Sequence, residues 1–192
     1  NPPRELMDGR ESGNIYEELA QLKIEGKIRE YGVSLDWAAE LETVAATTDS
    51  KAAEVMYNAF HQEPAGAFPM AHEKNIGLII KVPLDSGWLA GKYDRTTVFK
   101  DGRHRWPLEV LKRRADLLDK FKAIVPPDTS LTHVALQFIL AQPQVSTIIP
   151  GGKTVKQALD NFAAADQKLS MEIVQAIYKL WDQEIAHDPL PW

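Results

Sequence analysis

GLIIKVP, residues 77–83, is the stretch on which the fold turns. An apolar run this short, rich in β-branched residues and closed by Pro83, reads as a strand rather than a helix, and its lack of polar alternation predicts burial on both faces. Such a strand needs helices on either side of a sheet, or a barrel closed on itself. On its N-terminal side, Phe68 to Lys74 reads as a short helix stopped near Gly77. Further upstream, Glu54 to Phe60 reads as a strand, and Asp36 as the N-cap of a helix whose apolar face is Trp37, Leu41 and Val44. A strand over 29–34 precedes it, and an amphipathic helix over 14–25, with Ile15, Leu19 and Leu22 on its apolar face, ends at Gly26.

Downstream, residues 94–106 form an irregular excursion, and Pro107 in a first-turn position opens a long helix that Pro126-Pro127 ends. Ser130 or a neighbour caps a helix to Leu140, Val145 to Ile149 is a fourth strand, and Thr154 to Ala164 is helical. A last helix starts at Ser170, with Leu169 and Val174 placed for a hydrophobic staple. Strands alternate with helices and no hairpin signal separates them, so the sheet is parallel.

Bulk properties narrow the function. At 192 residues a single domain over 1–192 is the default, with two small ones possible, and there is room for a substantial core. A net charge of −5 offers no basic face for the phosphates of DNA or RNA, so nucleic acid is not an expected partner. With no cysteine there are no disulfides or thiolate sites, no metal-ligand spacing stands out among the histidines, and no apolar span of membrane length is present. A cytoplasmic protein is the plain reading, with no membrane partner. Asn1-Pro2-Pro3 is neither an initiator methionine nor a targeting sequence, and it reads as if cut from something longer.

The stretch IIPGGKTV, residues 148–155, leads from a strand through a glycine turn into a helix, the setting in which backbone N–H groups hold phosphate. It is not a P-loop, which would need glycine where Thr147 stands and would lose a backbone donor at Pro150. Barrels of β/α units often bind phosphate after their last strands, beside a helix start. IPGGKTVKQ at 149–157, with Asp160-Asn161 behind it, resembles the stretch after the eighth strand of aldo-keto reductases. GKIREYGVS at 26–34 resembles the approach to that family's fifth strand, VMYN at 55–58 its sixth, and VPLDSGWLAGKY at 82–93 its seventh strand and following loop. Four matches in the right order, each at a strand end, carry more weight than any one of them.

The resemblance implies a parallel (β/α) barrel of TIM type, here about its last four β/α units, and NADPH as cofactor. Ser34 matches the family's serine at the nicotinamide carboxamide, while Leu84 and Ser86 match the loop that passes the pyrophosphate. Gly151, Gly152, Lys153, Gln157 and Asn161 match the adenosine and 2′-phosphate end. Three positions depart from the common pattern: Leu35 replaces an asparagine, Glu54 a glutamine, and Lys81 the aromatic ring that stacks on nicotinamide. Lys81 points to a branch with a basic residue there, which would set a cation facing the ring.

Family catalysis, as the resemblance implies, uses an Asp, a Tyr general acid, a Lys and a His from the second to fourth strands, the histidine directly before the position of Asn1. The expectation is therefore a half-barrel that grips the cofactor, inactive alone, with a carbonyl substrate in the complete enzyme. Its missing N-terminal half, or another copy of itself, would be its partner. His61, His72, His104, His133 and His187 read as surface or structural residues, and Tyr57 and Tyr93 as core. Two other readings stand beside this one: a non-catalytic cofactor-binding or regulatory module of the same family, and an open doubly wound sheet binding another nucleotide.

Overall fold

The computed structural model describes Pro2 and residues 14–191. Asn1 and Pro3, part of the stretch expected to follow a histidine, lie outside the described residues. Four parallel strands form one sheet in the order β1 (Gly32–Leu35), β2 (Ala52–Met56), β3 (Gly77–Lys81) and β4 (Val145–Ile148). A sheet that grows in one direction has no topological switch point, the feature that defines an open doubly wound sheet. That alternative is thereby disfavoured.

Seven helices stand among the described residues: α1 (Ile15–Ile24), α2 (Ala38–Thr47), α3 (Phe68–Glu73), α4 (Leu108–Ile124), α5 (Leu131–Leu140), α6 (Val155–Ala163) and α7 (Met171–Glu184). The chain groups into two compact units. The first holds the described residues through Tyr57 with Glu63–Lys81 and Pro143–Ile149, and so carries the sheet, α1, α2 and α3. The second comprises Asn58–Gln62, Val82–Gln142 and residues from Pro150 onward, carrying α4 to α7.

In the first unit the strands alternate. Leu35, Ala53, Val55, Leu78 and Ile80 are completely buried, each large apolar side chain contributing about 1.5–3 kcal/mol. Ser34, Glu54, Ile79 and Lys81 occupy the opposite face and are only half-buried. The central strand is thus buried on one face, not on both as its apolar run suggests. The half-buried face carries polar groups, and Ile79 is the apolar residue that hides this from the sequence.

Gly32 is fixed by a close approach. A Cβ there would lie 2.1 Å from the Ala52 carbonyl oxygen across the β1–β2 pair. β1 therefore starts at Gly32, later than the 29–34 span expected, and β2 ends at Met56 because Asn58 and His61 close a turn by exchanging backbone hydrogen bonds of 3.0 Å. In α1, Asn14 caps the N-terminus through Tyr16 N (2.8 Å) and Gly26 takes the left-handed position after the end (φ 72°). Its expected apolar face is not its buried one: Ile15 is 57% exposed, while Tyr16 is buried against Tyr31. Trp37 rather than Asp36 holds the N-cap position of α2, and the Glu40 carboxylate accepts the N–H groups of Asp36 (2.8 Å) and Trp37 (3.2 Å). An acidic side chain at the third helical position does what the cap residue was expected to do.

In the second unit Pro107 sits at the N-cap of α4, one position outside the helix, and Val125 ahead of Pro126 is extended, as the residue before a proline must be. Ser130 and Ser170 cap α5 and α7 through His133 N and Ile173 N, both at 3.4 Å. α7 buries Val174, Ile177, Leu180 and Trp181, a one-sided apolar stripe. By contrast α6 buries none of its residues, and Val155, Leu159 and Phe162 are exposed. Among the described residues no helix is long and apolar enough to cross a membrane.

Candidate functional site

Three of the ten candidate residues share the half-buried strand face of the first unit. Ser34 and Glu54 are register partners on β1 and β2, and Lys81, at the end of β3, pairs with Met56. Lys81 reaches across β2 to donate to Ser34 Oγ at 2.8 Å, and its ammonium also meets Asp36 Oδ1 at 2.9 Å. With 15% of the Lys81 side chain and 29% of that of Asp36 exposed, water screens this pair only partly. The hydroxyl of Ser34 accepts from the lysine, so its own hydrogen is directed elsewhere. Leu35, the departure next to Ser34, is completely buried on the other face.

The remaining candidates belong to the second unit. Leu84 and Ser86 lie in the segment between β3 and α4, in which Val82 (φ 52°), Asp85 (φ 47°), Ser86 (φ 54°) and Gly87 (φ 100°) all adopt left-handed backbone. For non-glycine residues that backbone costs about 1–3 kcal/mol each, and it survives only where the surroundings enforce it. Leu84 O accepts from Gly87 N at 2.8 Å and Leu89 N at 3.2 Å, and Trp88 and Leu89 are completely buried. At Gly87 a Cβ would press on the Tyr93 ring at 3.0 Å.

Gly151, Gly152 and Lys153 are exposed and lead into α6, whose N-cap Thr154 accepts from Gln157 N at 3.2 Å. Gln157 Oε1 accepts from Lys153 N at 2.7 Å, and Asn161 Nδ2 lies 3.5 Å from Gly151 O. The structure therefore gathers all five candidates of this stretch around one helix start. Nothing stands within 4 Å of a Cβ built on Gly151, so the backbone is open to a ligand there. A helix start with accessible amides beside an ammonium suits an anion such as phosphate.

Sequence reasoning missed several residues. In sequence Asp36 reads only as a cap, although a period of two places it on the same side as Ser34. Asp85 and Arg114 form an ion pair in which both side chains are completely buried, and no local motif announces a contact across 29 positions. Burial pushes the Asp85 carboxyl up, against the opposing pull of Arg114 and of His61. Arg103 holds the Ser86 carbonyl at 2.9 Å and stacks on Phe99 at 4.4 Å, so the excursion expected at 94–106 is packed through its arginine and aromatic residues. Its partner Asp101 is held well below the usual carboxylate range by Arg103. Tyr57 and Phe68 pack edge to face at 5.2 Å, and His61 is buried beside Trp181. Among the described residues no group of three or more metal-ligating side chains is gathered.

The family model described as "Aldo/keto reductase family" matches residues 8–182. The oxidoreductase YqkF of Bacillus subtilis is 27% identical over 188 residues, covering 94% of this chain and 60% of that protein. The aldo-keto reductase yakc [NADP(+)] of Schizosaccharomyces pombe is 30% identical over 167 residues, covering 82% of this chain and 49% of that protein. Among solved structures, the holo form of aldo-keto reductase AKR11C1 from Bacillus halodurans superposes with a TM-score of 0.69 at 25% identity, over 87% of this chain and 55% of that one. The chain thus spans between about half and three-fifths of the length of the curated relatives it matches.

Proposed function

The chain belongs to the aldo/keto reductase family, a family of oxidoreductases with a parallel β/α barrel fold, and we propose that it supplies the NADPH-binding residues for hydride transfer to a carbonyl in the complete enzyme. The observation that carries this reading is the contact of Lys81 with Ser34 at 2.8 Å, which joins two positions that the family resemblance places at the nicotinamide end, Ser34 by its match and Lys81 by a basic residue in place of the stacking ring.

The residues present fit the two ends of such a cofactor. Ser34, already accepting from Lys81, has its hydroxyl hydrogen available for a carboxamide oxygen. Asp36 offsets the Lys81 charge, so a nicotinamide ring would meet a paired ammonium rather than a bare cation. Leu84 and Ser86 would offer backbone to the pyrophosphate, while the open backbone at Gly151, the exposed Gly152 beside it and the Lys153 ammonium would receive the 2′-phosphate. When bound, the cofactor supplies the hydride. Gln157 and Asn161 would orient the adenosine end from the first turns of α6.

A phosphate-to-ammonium hydrogen bond at a site that the bound cofactor leaves only partly solvated contributes about 1.5–3 kcal/mol, roughly ten- to a hundredfold in affinity. In the complete enzyme, Lys153→Glu should therefore weaken NADPH binding by about tenfold or more and leave NADH, which lacks that phosphate, nearly unchanged. Fluorescence titration of both cofactors checks this. Equal losses for the two, or none for NADPH, would remove Lys153 from the site.

The Asp, Tyr, Lys and His of family catalysis have no counterparts in the matched segments, so the chain alone is expected to turn over no carbonyl. NADPH oxidation with a panel of aldehydes tests it, and turnover abolished by a point substitution within residues 14–191 would refute it. Missing chemistry also keeps the regulatory or cofactor-binding module as a second reading, supported by the same cofactor residues. β1 and β4 are the edges of the sheet among the described residues, and such edges invite pairing. The proposed partner is the complementary half of the barrel or a second copy, in a cytoplasmic protein.

A further inference from the structure

We propose that Arg114 and Asp85 are positioning residues for the 82–91 segment: the guanidinium, closed on the carboxylate, sets the backbone that presents Leu84 and Ser86. The cofactor side of this inference rests on the function proposed above. Asp85 stands between those two residues, and both it and Arg114 are completely buried. Arg114 donates to Asp85 Oδ2 from one nitrogen and to the Pro191 carbonyl at 3.0 Å from another, and its guanidinium lies 4.4 Å from the centre of the Trp106 ring. One planar group thus joins three segments of the second unit. Only an arginine fork, which can donate in two directions and stack on an aromatic face, performs all three tasks.

The backbone it holds would not persist unaided. Val82, Asp85 and Ser86 all lie in the left-handed region, which β-branched valine in particular avoids. Asn58 Nδ2 restrains one end through the Val82 carbonyl (2.9 Å), and Arg103 restrains Ser86 through its carbonyl (2.9 Å). Between them the Asp85 side chain is gripped by Arg114, its other oxygen being buried without a hydrogen-bond partner among the described residues. A buried ion pair adds little stability over apolar residues of the same volume; what it adds is one enforced geometry. That property is the one a strained ligand-facing segment requires.

The discriminating variant is the double replacement Asp85→Leu with Arg114→Met, which leaves no unpaired charge in the interior. Amide hydrogen exchange of the 192-residue chain should show residues 84–90 opening about tenfold faster or more while α7 keeps its protection, and NADPH affinity should fall by a similar factor. Arg114→Lys keeps the charge but loses the fork, and should speed exchange at 84–90 and at Leu190 together. Wild-type exchange at 84–90 in the double variant would overturn the proposal, and so would faster exchange with unchanged NADPH affinity. A wild-type chain that binds no NADPH would overturn the cofactor reading instead; exchange at 84–90 would then decide the positioning role by itself.

Discussion

The strand-end cluster of Ser34, Asp36 and Lys81 and the helix-start stretch from Gly151 to Gln157 are built on opposite plans. In the first, side chains from β1, from the residue just after it and from β3 meet over β2, so their geometry is inherited from the sheet register. In the second, the contacts are local: Thr154 with Gln157, Gln157 with Lys153, Asn161 with Gly151. A site made by register is stiff and intolerant of backbone change, whereas a site made by capping is exposed and repairable. The contrast matches the two tasks proposed for them, since a reacting ring must be held in one pose and a terminal phosphate only has to be captured.

The largest expected difference is between the glycines. Gly32→Ala would set a methyl carbon 2.1 Å from the Ala52 carbonyl oxygen, and because that neighbour is backbone, β1 must shift away from β2. A loss of about 3 kcal/mol is expected in urea denaturation, at the upper end of overpacking costs. An unchanged midpoint would mean that the sheet does not hold the Ser34 cluster rigidly.

Lys81→Met keeps the stem across β2 and removes the ammonium, and should cost about 1 kcal/mol through the lost contacts to Ser34 and Asp36. Paired with Asp36→Asn, it should show coupling in a double-mutant cycle, measured by the same denaturation. Strictly additive effects would show that the two charges do not act as a pair. Gly151→Ala is the smallest: with nothing within 4 Å of the added carbon, stability should change by no more than about 0.5 kcal/mol. Any effect it has should appear in cofactor titration rather than in unfolding, and the reverse pattern would erase the distinction between the two regions.

The sequence by itself determined the order of strands and helices, the parallel sheet, the proline that stops α4 and the serine caps, because each is written within a turn or two of chain. Where it misjudged an end, as at Asp36 or at the close of β2, a side chain or backbone partner only three or four positions away had already taken over the hydrogen bonds. The family resemblance put candidate residues near strand ends and at a helix start, although Glu54 lies in the middle of β2. What only the tertiary structure decided was which of them meet and which face is buried. The half-open face of β3, the reach of Lys81 to Ser34 across 47 positions and the closure of Arg114 on Asp85 across 29 depend on register and on packing between distant segments. Neither leaves a local trace, because a lysine that crosses a sheet and an arginine that enters a core read in sequence like any other solvated charge.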